Sequence, residues 1–422
     1  MGGLVFTGGP DPLYTPRMPP AVYQHAKAAC HAALQQLFEH VATPIEGPEK
    51  PDFGDLDFLV YSSTADLQSV QWRDDVRAAL GAVGCVSQQP HTGSFAIYWP
   101  EGVPDERETP GVTQQRYIQV DVHVCASPET LRWSVFKNDH GDLWNLLGST
   151  IRPFGLTVDH EALYVRIAEI EKLDKKKAKV RLTSDPDTVL RFLGLDLARW
   201  KRPFATMRET YEYAATCRFF WVKPESSSEG GADGGSDADE DRIGGEFTRK
   251  DLKSNDRQRM SKRPMFNRWI NEFIPACREQ HRFTDRQIDR DGTLEEAFAQ
   301  FGVRETYDAR VLEFRKKRQA ETIWKDVIKA AVPTEGIAPM FRGGAANGLK
   351  KIILQGDESF DVVPSEPLKN EDGLFDEDAV RRFAEANWEK VGDIVFKKNH
   401  ERMLEKLKKD AERKHEKEAS VV

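Results

Sequence analysis

Apolar residues recur at helical spacing through AVYQHAKAACHAALQQLFEHV, and the pattern predicts one helix ending near Val41. A Gly- and Pro-rich arm over residues 1–18 precedes it. A short apolar stretch, Ala42 to Ile45, leads through Gly47, Pro48, Pro51 and Gly54 into DLDFLVYSS, read as a strand, a turn and a second strand. LQSVQWRDDVRAALGAV predicts a further helix, SFAIYWP a strand, and RYIQVDVHVC a strand that alternates apolar and polar positions. Beyond Ser127 the pattern turns helical at SPETLRWSVF, HGDLWNLLGSTI, DPDTVLRFLGL and MRETYEYAATCRFF, with one β-like patch at AKVRLTS. Residues 224–245 hold almost no apolar side chains, too few to offset ordering entropy, and read as a disordered linker. Helices are expected again near 249–275, 284–331 and 375–417, the last ending in a charged tail. Gly343, Gly344 and Gly348 read as a flexible loop, and no G-K-[ST] follows them, which excludes a phosphate loop.

Composition changes this picture in two places. The 422 residues exceed one compact core, and 39% apolar with 31% charged residues suits a folded chain with polar inserts. The net charge of −8 conceals an uneven spread, with eight acids and one base over 225–246 against eight Lys or Arg and two Asp over 249–268. The stretch TRKDLKSNDRQRMSKRPMFNRW therefore carries candidate nucleic-acid contacts at Arg257, Arg259, Lys262, Arg263 and Trp269, cations for phosphates and a ring for a base. Five scattered cysteines with no C-x-x-C pair indicate neither a disulfide framework nor a zinc ribbon, and point to an intracellular location in cytoplasm or nucleus. No run of apolar residues is long enough to span a membrane, and Phe6 stands where a myristoylation signal needs Ser or Thr.

The candidate chemistry lies in Gly54-Asp55-Leu56-Asp57-Phe58-Leu59-Val60. In a strand, Asp55 and Asp57 share a face with roughly 6–7 Å between their Cα atoms. Carboxylates so close repel by about 1 kcal/mol even in water, so a cation is their natural partner, and Mg²⁺ is the hard ion suited to carboxylate and phosphate oxygens. Asp121, between Val120 and Val122, repeats the arrangement on a later strand. Three such acids can hold two ions in phosphoryl or nucleotidyl transfer, Asp55 and Asp57 bridging both and Asp121 holding the one that activates the acceptor. The competing reading is the wet face of an amphipathic strand. His123 shares the face of Asp121 and reads as a structural, hydrogen-bonded histidine. Asn138 and Asn145 fall where helices after the catalytic strands reach a ribose or base, or cap those helices.

With these residues the sequence resembles the DNA polymerase β-like nucleotidyltransferase superfamily, and more narrowly a group of fungal and large-DNA-virus proteins with a nucleotidyltransferase domain. The matching segments are Lys50 to Asp57, Gln119-Val120-Asp121, Asn138 to Leu143 and Phe192 to Leu195, over roughly residues 1–222. The resemblance implies an α+β fold, a mixed sheet with flanking helices followed by mainly helical domains. It implies a catalytic domain over 1–126, a helical nucleotide- or acceptor-binding domain over 127–222, the linker over 223–247, a helical domain over 248–396 and a tail over 397–422. The activity implied is Mg²⁺-dependent transfer of NMP from an NTP to a hydroxyl; the basic stretch over 249–268 makes an RNA, such as one with a tRNA-like end, the candidate acceptor, with small-molecule and protein acceptors left open. The superfamily places Gly-Ser before D-x-D to contact the triphosphate, whereas this chain has Glu46-Gly47-Pro48. Gly47, Lys50, Gly54, Ser94 and Asn138 form the candidate nucleotide-binding set, with Lys50 or Ser94 replacing the absent hydroxyl. Two alternatives stay open: a nucleotidyltransferase fold kept as a nucleic-acid or protein scaffold without turnover, and a metal-dependent nuclease, which lacks an acid-x-lysine partner on a following strand.

Overall fold

The computed structural model describes residues 3–8, 11–63, 71–87, 89–104, 114–222 and 263–419. The proposed linker, together with Arg257, Arg259 and Lys262, lies outside them. Two compact units divide the chain between Val303 and Arg304. The expected boundaries near residues 126 and 222 fall inside the first, and the expected 248–396 domain spans the division.

The first unit is α+β, built on a five-stranded mixed sheet ordered β1-β2-β5-β4-β3 (His40–Ala42, Asp55–Tyr61, Tyr117–Val124, Thr92–Tyr98 and Gly84–Val86). β2 and β5 run parallel, and every other neighbouring pair is antiparallel. Alternation decides what each face does. Leu56, Phe58 and Val60 on β2, Ile118, Val120, Val122 and Val124 on β5, and Phe95 on β4 are all buried in one cluster. Helices α1 (Pro20–Leu34) and α2 (Gln71–Leu80) close over that cluster with Val22, Ala26, Cys30 and Leu34, spaced four residues apart, and with Trp72 and Val76. The acids at 55, 57 and 121 fall on the alternate positions and so on the opposite face.

The helix expected to run to Val41 stops at Leu34, and Val41 sits in β1, pairing with Val60. The apolar run there serves a short edge strand, which periodicity alone does not separate from a helix end. α3 (Pro128–Asn138) begins where Ser127 accepts a hydrogen bond from the Thr130 N–H at 3.1 Å, with Pro128 in the first turn. After α4 (Leu143–Ile151) comes a second sheet absent from the sequence reading except for its last strand. It is antiparallel, ordered β6-β7-β8 (Leu156–Val158, Leu163–Arg166 and Lys179–Thr183). The 127–222 region thus adds a small three-stranded sheet to its helices.

The second unit is helical. Gly343, Gly344 and Gly348 lie not in a loop but inside the helix Pro339–Gln355, which packs on the 43-residue helix Glu377–Ala419. A Cβ on Gly348 would stand 2.4 Å from Val391 Cγ1, and one on Gly392 would stand 2.5 Å from the Phe341 ring. These glycines are what lets the two backbones approach, and that outweighs glycine's weak helix propensity. Among the described residues no helix is long and apolar enough to cross a membrane.

Candidate active site

The parallel register of β2 and β5 sets Asp57 opposite Asp121 and Asp55 opposite Gln119. Neighbouring strands are about 4.8 Å apart, so the three acids the sequence singled out gather on one patch of the sheet. Their charges are felt. Asp55 is raised above the usual carboxylate range, foremost by partial burial and then by Asp121, while the Gly3 backbone N–H and Lys50 draw it down. Asp57 is pushed up to about 7 by loss of solvation, then by Asp55, Asp121 and Glu46. Yet the Asp57 side chain opens to solvent. That exposure argues that repulsion from the neighbouring carboxylates carries more of its shift than burial does.

Asp121 already has a partner. The Gln119 carboxamide Nε2 donates to both its oxygens, at 3.1 and 2.8 Å, and Gln119 itself is buried. Among the described residues no three His, Cys, Asp or Glu side chains stand in position to hold one metal ion. The donor set nevertheless suits a hard divalent cation: three mutually repelling carboxylates on one face, one of them open to solvent. His123 shares their face, opposite Leu59 and Thr92. It is held below its ordinary pKa, foremost by burial and then by His91.

A second cluster stands beside Asp57. The Tyr23 hydroxyl and Lys50 Nζ both donate to Glu46, the latter at 2.5 Å. Tyr23 stacks on Phe53 with centroids 3.8 Å apart, and the pair is flanked by Lys27 Nζ, 5.5 Å from the Tyr23 ring, and Lys50 Nζ, 5.7 Å from the Phe53 ring. Lys27 is held below the usual ammonium range, foremost by burial, although Glu46 and Asp57 pull it upward. Tyr23 and Lys27 were not singled out in the sequence, where they read as helix positions.

The loop holding Gly47 is tied down from the other side. Asp139 accepts the Ile45 N–H at 2.7 Å, the His140 N–H donates to the Ile45 carbonyl at 2.7 Å, and Gly47 packs on Gly141. His140 is fully buried, 2.7 Å from the Trp200 carbonyl through Nε2, and burial holds its pKa down near 4. The Asn138-Asp139-His140-Gly141-Asp142 segment thus braces the loop.

The other candidates are dispersed. Gly54 is buried beneath Gly3. Ser94 lies opposite Asp121 on β4, across β5 from Gly47 and Lys50, and so is not grouped with the triphosphate candidates. Asn138 ends α3 rather than starting a helix, and its amide donates to the Ser134 carbonyl at 2.9 Å. Asn145 donates to Asp142 at 3.2 Å. Arg263 pairs with Asp142. Trp269 corrects the base-stacking expectation: it is 1% exposed, stacked on Phe273 at 4.9 Å and packed against Phe220 and Tyr211. A ring so enclosed has no face left for a base; the shared helical face seen in the sequence is a core face.

No family model matches the chain, and no curated protein matches it, which leaves the narrower fungal and viral resemblance without a counterpart. Among solved structures the chain is similar to Leishmania infantum polymerase beta. The ternary P/T complex is 13% identical with a TM-score of 0.31, over 45% of this chain and 77% of that one. The ternary gap complex is 12% identical with a TM-score of 0.31, over 44% and 70%. Scores so low carry no weight for fold or activity, and the register and side chains above stand on their own.

Proposed function

We propose that this protein is an Mg²⁺-dependent nucleotidyltransferase that moves NMP from an NTP to a hydroxyl of an RNA acceptor. One observation carries the reading: the β2–β5 register that sets Asp57 against Asp121, with Asp55 two residues away on the same face. Asp55, Asp57 and Asp121 would hold the Mg²⁺, Asp121 serving the acceptor side. Bound there, Mg²⁺ neutralises charge on the transferring phosphoryl group and favours the deprotonated hydroxyl. Lys50 and Lys27, beside Asp57, supply positive charge for the triphosphate where the chain lacks the Gly-Ser hydroxyl. Glu46 has to release Lys50 for that role, since the pair is closed at 2.5 Å.

The test is incubation of radiolabelled NTPs with an RNA pool, comparing wild type with Asp55→Ala/Asp57→Ala. Labelled product from the wild type alone is expected, and absence of product from both sinks the reading. A second reading, a scaffold of the same fold without turnover, is favoured by the paired Glu46 and by the absence of three ligating side chains around one point among the described residues. Calorimetry with Mg²⁺ and each NTP separates the two, since a scaffold binds no nucleotide.

A further inference from the structure

The arm over residues 3–8, which turns between Leu4 and Thr7, lies on the carboxylate face of the sheet. Phe6 is buried there, its ring 3.3 Å from where a Gly84 Cβ would stand, and the Cβ of Ala96, whose strand position pairs with Gln119, is 3.6 Å from the same point. From this arm two backbone N–H groups, two residues apart, reach the candidate site. That of Gly3 acts on the Asp55 carboxylate. That of Val5 donates to Gln119 Oε1 at 3.0 Å. The same Gln119 carboxamide, through Nε2, holds both oxygens of Asp121. Backbone N–H, amide oxygen, amide nitrogen and carboxylate thus form one chain of hydrogen bonds.

The geometry fixes each link. Gln119 is 2% exposed, so its carboxamide cannot swing into water, and its oxygen is turned toward Val5, which leaves only its NH₂ for Asp121. Gly3 has φ +85°, its carbonyl accepts the Thr15 hydroxyl at 2.5 Å, and a Cβ there would stand 2.4 Å from the Gly54 carbonyl oxygen. Only glycine fits, so the arm is seated by a position that tolerates no side chain. A buried amide that grips both oxygens of a carboxylate fixes the plane in which that carboxylate presents its remaining lone pairs.

We infer that Gln119 is a positioning residue, through which the N-terminal arm sets the orientation of Asp121 for a divalent cation. This rests on the nucleotidyltransferase reading for the cation but not for the linkage. The test pairs two measurements on the full chain: Mn²⁺ titrated by calorimetry, and amide hydrogen exchange over residues 3–8. Gln119→Met keeps the volume and removes all three of these hydrogen bonds. It is expected to weaken Mn²⁺ binding about tenfold or more while the thermal melt stays cooperative, and to speed exchange at Val5. Gly3→Ala, which leaves the Gln119–Asp121 bond intact, is expected to speed exchange over the arm and to weaken Mn²⁺ binding less. Asp121→Asn is expected to speed exchange at Val5 as well, although it lies two links away. Wild-type Mn²⁺ affinity in Gln119→Met overturns the positioning role. Exchange at Val5 that ignores both Gln119→Met and Asp121→Asn overturns the linkage. A wild type that binds no Mn²⁺, while Val5 exchange still responds to Asp121→Asn, overturns the metal-dependent reading and leaves the linkage standing.

Discussion

The two faces of the five-stranded sheet are built from the same strands in alternation, and they obey different rules. On one, Leu56, Phe58, Val60, Val120 and Val122 meet α1 and α2 and are at most 1% exposed. On the other, Asp55, Asp57, Gln119, Asp121 and His123 stand where hydrophobic packing would otherwise continue. Close packing on the first face makes every methylene count. On the second, charge repulsion and directed hydrogen bonds set the energetics, and the fold tolerates carboxylates there that resist ionisation. The packed face holds the strands together, which frees Asp55, Asp57 and Asp121 on the other from any packing duty.

The contrast breaks most readily at Phe58. It is 1% exposed at the centre of the packed face, and truncation to alanine is expected to cost about 3–5 kcal/mol in urea unfolding, because the neighbours of so enclosed a ring cannot collapse into the space. Its sequence neighbour Asp57 is expected to behave oppositely. With a folded-state pKa of about 7 against about 3.9 in the unfolded chain, the native state holds this proton more tightly. The stability it contributes is therefore complete below the unfolded value and is lost as pH rises through about 7. Without divalent cations the melting temperature should fall between pH 4 and 8, and Asp57→Asn should flatten that fall. Mg²⁺ at pH 8 should raise the melting temperature of the wild type more than that of the variant. A wild-type profile with no such slope would show that the carboxylates are not in conflict.

The sequence discloses the packed face almost completely, because apolar alternation has a single cause and a fixed period. It discloses the acids for the same reason: Asp55, Asp57 and Asp121 interrupt the pattern at in-phase positions. It does not disclose their juxtaposition, since the parallel pairing of β2 with β5 depends on chain crossings that leave no local mark. Gln119 has the same phase as Asp121 and was available to the same reasoning, but a neutral amide among acids carries no electrostatic signal. The contribution of Gly3 and Val5 comes from backbone N–H groups, which every residue has. Trp269 and the glycines of Pro339–Gln355 mislead for a shared reason: an aromatic beside cations, or a glycine run, has one composition whether it faces water or a neighbouring helix.

Ser94 gives the smallest effect and the sharpest division within the charged face. As the Cα partner of Asp121 on antiparallel β4, it lies a few ångströms from that acid, while β5 separates it from Lys50, Gly47 and β2. If the triphosphate is held on the β2 side, Ser94→Ala should leave the NTP affinity measured by calorimetry unchanged and alter stability by no more than about 0.5 kcal/mol. Lys50→Ala should weaken the same affinity roughly ten- to a hundredfold, because a cation on phosphate is worth about 1.5–3 kcal/mol. Equal losses in the two variants would mean that the nucleotide spans β5. The acceptor would then have to approach from the β2 side, and the roles of Asp57 and Asp121 would exchange.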